Sequence, residues 1–142
     1  MLPIASQQVL IIADSYGDIA SIECNNKKMH IVHPSKENDF VLSTNNFYSD
    51  EMKQFNNLSI DDWKSNERYQ VAYSALQQNK NRLSLNLAKN ILCGKYGFMC
   101  QYDRKNADTV WSVIYDTRNK KIYRAEGNPS RRAFKEDCRF KF

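Results

Sequence analysis

The sequence predicts an α+β fold in which an antiparallel sheet carries two main helices on one face. Runs of β-branched and aromatic residues, separated by turn residues, fill the first and last thirds of the 142-residue chain, as is typical of strands joined by hairpins. The middle third has helical spacing instead, with apolar residues recurring every three or four positions. Because strands and helices are grouped rather than alternating, the pattern favours α+β over α/β architecture.

Four strands are predicted in the first third. Asp14 opens a turn in which Gly17 is free to take a positive φ, so the strand before it can pair with the strand after it. Pro34 follows the third run and stops it, since proline donates no hydrogen bond to a ladder. The predicted strands are residues 9–13, 19–23, 29–32 and 40–42, which together form an antiparallel meander.

Two amphipathic helices are predicted in the middle third. The first spans residues 59–78, which contain no Gly or Pro, and it has Asp61 and Asp62 near its start, where the helix dipole favours acidic groups. The second begins after Ser84 as N-cap and ends at Gly94, where a left-handed residue is expected. Each helix is expected to lie with one face on the sheet.

The last third returns to strands. Residues 110–115 and 121–125 are predicted to pair as a hairpin around the turn at 116–119. The tail, residues 131–142, is basic and aromatic, a composition that could stack on single-stranded nucleic acid. A solvated terminus, or a strand that packs alternate Phe side chains, is the favoured interpretation, so no nucleic-acid partner is expected.

Composition indicates one domain over residues 1–142, because 42% hydrophobic content is enough to bury a core. The net charge of +5 permits anionic ligands without requiring them. No run approaches the ~18 apolar residues of a membrane span, and the start of the chain lacks the basic and apolar regions of a secretory signal. A cytoplasmic protein with no membrane partner is therefore expected.

The four cysteines show no CxxC pair, which favours free thiols in a reducing compartment. They are Cys24, Cys93, Cys100 and Cys138. His30 and His33 with Cys24 could suggest zinc, but an offset of three in a strand sends side chains to opposite faces. No metal and no cofactor are expected.

Asn45 and Asn46 follow the predicted strand at 40–42 and form the chain's most distinctive polar turn. Carboxamides at such a place commonly hydrogen-bond the flanking backbone, which is a purely structural role. They can also donate an N–H toward a substrate oxygen if a rigid element holds them. The residues alone leave both interpretations open.

Several short motifs, taken in order along the chain, resemble one family. They are Asp14-x-x-Gly17-x-x-Ala20-x-x-Glu23, Thr44-Asn45-Asn46-Phe47, the helix with Arg68, Trp111-Ser112-Val113, Tyr115-Asp116 and Glu126-Gly127-Asn128-Pro129. Together they resemble the linear-amide C–N hydrolases, which include the penicillin acyltransferase and choloylglycine hydrolase relatives of the N-terminal-nucleophile superfamily. The resemblance covers nearly the whole chain and corresponds to the C-terminal part of such an enzyme.

The resemblance implies a four-layer αββα sandwich, of which this chain forms part. It implies an N-terminal cysteine nucleophile whose own α-amine, with a pKa of roughly 8, acts as the base. Asn45 then corresponds to an oxyanion or substrate-orienting donor, and Arg68 to a group near the nucleophile. Phe47, Tyr48 and Asn46 are expected to line the substrate pocket, although many relatives have His where Asn46 stands.

Arg68 has an alternative interpretation as a helix-surface residue that pairs with Asp61 or Glu67. The chain begins Met-Leu-Pro and none of its cysteines is expected to act as an N-terminal nucleophile. The sequence therefore predicts the C-terminal half of an amide hydrolase or acyltransferase that acts on a small-molecule amide and is completed by a missing N-terminal half or a second copy of the chain. The alternative is a non-catalytic binding or assembly module on the same sheet.

Overall fold

A computed structural model describes residues 6–57, 63–102 and 107–139. The chain divides into two compact units, residues 1–70 and 71–142. The described residues form two antiparallel three-stranded sheets and two α-helices, which confirms the predicted α+β class. The strands that the sequence places in one sheet belong to two sheets, one in each unit.

The sheet of the first unit contains β1 (Gln8–Ala13), β2 (Ile19–Cys24) and β3 (Met29–Val32) in that order. Asp14 organises the first turn, since its Oδ1 accepts hydrogen bonds from three successive backbone N–H groups at 2.8–3.0 Å. Gly17 lies in that turn with φ +99°, as predicted. Asn25 organises the second turn in the same way. Three predicted strands are therefore confirmed.

Residues 40–42 are described and do not form the predicted fourth strand. The run has only three apolar residues, and a strand of that length depends on a partner edge that its own sequence does not specify. The segment that follows uses side-chain bonds instead, such as that from Ser43 Oγ to the Thr44 carbonyl. The meander thus ends at β3.

Helix α1 covers Ser65–Gln78 and begins later than the prediction of residue 59. Lys64, just before it, has a left-handed φ of +50°, which a continuous right-handed helix does not allow. Residues 59–62, including the predicted acidic first turn, lie outside the described residues. The end of the helix agrees with the prediction.

The second unit contains α2 (Leu85–Leu92), β4 (Trp111–Asp116), β5 (Lys121–Glu126) and the two-residue strand β6 (Lys135–Glu136). The N-cap prediction is confirmed, because Ser84 Oγ accepts the Leu87 N–H at 3.1 Å. Helix α2 buries Leu87 and Ile91 and packs against β4. The helix ends before Gly94, which has φ +81°.

The two faces of the first sheet differ in what covers them. On one face, Glu23 is only 4% exposed and is covered by the loop at residues 48–49. The strand register places Leu10, Ile12 and Ile31 on the opposite face, where each is 45–52% exposed. We call this surface the apolar face.

Candidate functional site

The turn at residues 44–48 is fastened to the start of α1. Thr44 Oγ1 and Tyr48 Oη lie 2.9 Å apart, and both donate to the Ser65 carbonyl, at 3.2 and 3.1 Å. The Tyr48 ring stacks on the Tyr69 ring with centroids 3.6 Å apart. These contacts fix the turn to one end of a helix, where a side chain is held more rigidly than on a free loop.

The side chains of the buried Glu23 and the half-buried Asn56 hold the backbone at residues 47–49. The carboxylate of Glu23 accepts hydrogen bonds from the Tyr48 N–H at 2.7 Å, the Ser49 N–H and the Ser49 hydroxyl at 2.5 Å. Asn56 pairs with both the N–H and the carbonyl of Phe47, each at 2.8 Å. The turn is thereby tied to the sheet as well as to the helix.

Asn45 lies at the tip of the turn, and its carboxamide is oriented by Arg68. Arg68 Nη2 donates to Asn45 Oδ1, while Arg68 Nε donates to the Trp63 carbonyl at 2.9 Å. A guanidinium has donors and no acceptor, so the amide oxygen must face it and the amide nitrogen must face away. Within the described residues, Asn45 Nδ2 has no hydrogen-bond acceptor, and the side chain is exposed. A donor is therefore presented to solvent in a fixed direction.

The other predicted site residues lie beside this pair. Asn46 Nδ2 donates to Asn66 Oδ1 at 3.3 Å, and Tyr48 is half-buried. Phe47 is 1% exposed, so its side chain anchors the core of the unit. The structure thus brings all five residues together, while contact of Phe47, Tyr48 and Asn46 with a substrate stays a prediction.

The sequence also allowed Arg68 to pair with Glu67 or Asp61, and the structure describes only the first of these two residues. Glu67 forms its ion pair with Lys64, at 3.3 Å, and Asp61 lies outside the described residues. Sequence reasoning did not assign the supporting roles of Glu23 and Asn56. Glu23 contacts the turn across 25 positions of sequence, a separation at which no local pattern indicates the partner.

The four cysteines are all free thiols, and two of them are buried. Cys24 is 3% exposed and its Sγ donates to a strand carbonyl at 3.7 Å. Cys100 is 4% exposed, and this burial raises the pKa of its thiol, which opposes the thiolate form that a nucleophile needs. Cys93 donates to a helix carbonyl at 3.4 Å, and Cys138 is exposed.

Two further properties concern only the part of the chain that the structure describes. There, no three His, Cys, Asp or Glu side chains are grouped so that they could hold a metal ion. None of the described helices combines the length and apolarity that crossing a bilayer requires.

The described part of this α+β protein thus holds a carboxamide donor beside a guanidinium. Comparison with protein families gives the class of protein to which the chain belongs. Residues 1–131 match the family described as acyl-coenzyme A:6-aminopenicillanic acid acyl-transferase, and the chain belongs to that family. The predicted resemblance to penicillin acyltransferase relatives is thus confirmed. Searches of curated proteins and of solved structures found no significant match.

Proposed function

We propose that this chain is the C-terminal, oxyanion-stabilising half of an amide hydrolase or acyltransferase whose N-terminal cysteine nucleophile lies outside these 142 residues. Family membership supports acyl-transfer chemistry in general. The observation that carries the finer proposal is the orientation of Asn45 by Arg68, which leaves the amide N–H₂ directed away from the protein.

The proposed reaction assigns one task to each group. The α-amine of the nucleophilic cysteine takes the thiol proton, and the thiolate attacks the amide carbonyl of a small-molecule substrate. The carbonyl oxygen becomes an oxyanion, toward which Asn45 Nδ2 donates. The leaving amine takes the proton, and water or a second amine then accepts the acyl group from sulfur. Arg68 keeps the Asn45 donor aimed and adds positive charge beside the developing anion.

Substitution of Asn45 by aspartate removes the N–H donor of the side chain and keeps its contact with Arg68. The carboxylate introduced by Asn45→Asp still accepts from the guanidinium but has no hydrogen to donate. In the complete polypeptide that carries these residues, we expect this variant to lower kcat for amide release by ~10²–10³, the usual loss for one oxyanion donor. KM should change little, because the lost bond forms mainly in the transition state.

The matched control is Asn26→Ala, which removes an exposed carboxamide from a turn of the same unit. Its kcat should equal that of the unchanged protein. Unaltered amide release by Asn45→Asp would contradict the proposal and leave Asn45 as a turn residue. Arg68→Gln should lower kcat too, and its effect should not add to that of Asn45→Asp, because the two residues act as a unit.

The apolar face favours a second candidate, a non-catalytic assembly module whose partner is a second copy of the chain. Exposed contiguous apolar surface of this kind commonly marks an interaction site. Under this alternative, sedimentation should show a dimer that Ile31→Lys dissociates and Lys36→Glu does not. A monomer at all accessible concentrations would exclude the second candidate.

A further inference from the structure

The second unit contains a cavity of about 720 Å³ beside β5 and β6. A volume of this size suits a small organic ligand. Five basic side chains line the cavity, together with three acidic ones, Glu126, Glu136 and Asp137. The basic residues are Arg124, Arg131, Arg132, Lys135 and Arg139.

The acidic groups are already engaged by cations. Asp137 accepts from Arg139 at 2.6 Å, which lowers the pKa of its carboxyl to about 2 and keeps it ionised. Glu136 pairs with Lys121 at 3.0 Å, and Glu126 lies 3.3 Å from Arg139. Arg139 thus lies beside both Asp137 and Glu126, and Glu126 also lies 3.0 Å from Arg124. Because these contacts already occupy all three carboxylates, they leave the charges of Arg132 and Lys135 without a local counter-charge.

Arg132 and Lys135 are the cations without such a partner. Neither forms an ion pair or a side-chain hydrogen bond with any residue that the structure describes. Gly127 has φ +101°, and a Cβ there would lie 3.2 Å from Arg132 Cγ. A residue without a side chain thus allows the stem of Arg132 to lie close to the backbone at the cavity wall.

Lys135 stands directly opposite Arg124 in the antiparallel pairing of β5 and β6. Like charges at opposed positions destabilise a strand pair unless something of opposite sign lies between them. Arg124 is held in place by the Trp111 ring, 5.2 Å from the guanidinium carbon. Its Nε is buried and lies 3.0 Å from Glu126 Oε1 in a direction that makes no hydrogen bond.

We infer that this cavity binds the phosphate group of a small phosphorylated ligand through Arg124, Arg132 and Lys135. Guanidinium forks match phosphate oxygens in pairs, and a dianion offsets two unpartnered cations, whereas a single carboxylate offsets one. The rest of the cavity is large enough for the organic part of the ligand. The inference concerns only the second unit and does not depend on the proposed catalytic role of Asn45.

Trp111 provides a direct readout of binding. In Trp63→Phe it is the only remaining tryptophan, and its ring contacts Arg124. Titration with pyrophosphate or ADP should change its fluorescence saturably. Tighter binding of ADP than of pyrophosphate supports contacts to the organic part, and equal binding supports a subsite for phosphate alone. If neither fluorescence nor calorimetry showed saturable binding up to ~10 mM ligand, the inference would be overturned. A dissociation constant above that concentration is too weak for a specific phosphate site.

Two double variants of equal charge test the residues. Arg132→Gln/Lys135→Gln should weaken pyrophosphate binding ~10-fold or more, as expected for loss of charge-assisted bonds. Lys95→Gln/Arg118→Gln removes the same charge from exposed positions elsewhere in the unit and should leave affinity within about twofold. Equal weakening by both would show attraction by net charge alone and overturn the inference. Circular dichroism and the urea midpoint establish that each variant is folded.

Discussion

At the scale of single residues, Glu23 is a structural carboxylate to which no catalytic role is assigned. Glu23 lies in β2 and is 4% exposed, yet it accepts three hydrogen bonds from Tyr48 and Ser49. A buried acceptor that satisfies several backbone donors is costly to remove, because the donors cannot all be rehydrated. Glu23 therefore supports the turn that carries Asn45.

Glu23→Ala should lower the free energy of unfolding by ~2–4 kcal/mol, since it leaves buried donors without an acceptor. Glu23→Gln keeps one acceptor oxygen and should cost less. Urea denaturation followed by tyrosine and tryptophan fluorescence measures both. If both variants were as stable as the unchanged protein, the bonds at residues 48–49 would contribute nothing to stability.

The sequence predicts Asn45 and Arg68 as candidate site residues because an Asn-rich turn and a helical Arg are visible locally. The orientation of the Asn45 amide was not predictable, since it depends on a contact across 23 positions. The supporting role of Asn56 carried no sequence signal, because Asn is common in turns for other reasons. Phe47 shows the limit of pattern reasoning: an aromatic residue beside polar ones suits a pocket or a core, and the structure places it in the core.

At the scale of elements, the hairpin turns and the ends of α2 were predicted best, because their signals are local. Asp14 and Asn25 form turns whose hydrogen bonds lie within four positions, and Ser84 caps α2. The strand expected at residues 40–42 was wrong because pairing needs a distant edge. The start of α1 was misplaced because the left-handed Lys64 is not encoded by composition.

Ser84→Ala should destabilise the second unit by ~1 kcal/mol, the usual value of an N-cap side chain. Ser84→Asp also presents an oxygen to the Leu87 N–H and should be nearly neutral or slightly stabilising, since a negative charge suits a helix N-terminus. Far-UV circular dichroism during urea denaturation compares the two variants. A loss of equal size in both would show that the cap does not stabilise α2.

At the scale of the whole molecule, carboxylates with cationic or amide partners contribute to the response to acid. The pKa values of Asp50, Asp108, Asp116 and Asp137 all lie below the ordinary value of 3.8. Hydrogen bonds from Lys53, Asn128, Asn119 and Arg139, respectively, are the largest causes. Because the folded values are depressed, the stability from these groups is present above about pH 3.8 and is lost as the pH falls through the folded values.

Asp137 provides the clearest test, because its pKa is lowered to about 2. The urea midpoint of Asp137→Asn should be below that of the unchanged protein at about pH 6, where the carboxylate is charged in both folded and unfolded states. The difference should shrink between about pH 4 and about pH 2, where protonation removes the advantage. A difference that is constant across this range would mean that the pairing with Arg139 is not responsible.

The apolar face affects how the folding of a purified sample is assessed. It contains four half-exposed side chains, those of Leu10, Ile12, Met29 and Ile31. Dyes such as anilinonaphthalene sulfonate fluoresce when they meet such surface, and their signal is a usual marker of a molten globule. Here a well-packed native sample should give that signal as well. Near-ultraviolet circular dichroism, which reports fixed aromatic packing such as that of Tyr48 on Tyr69, is the measurement that distinguishes the native state from a molten one.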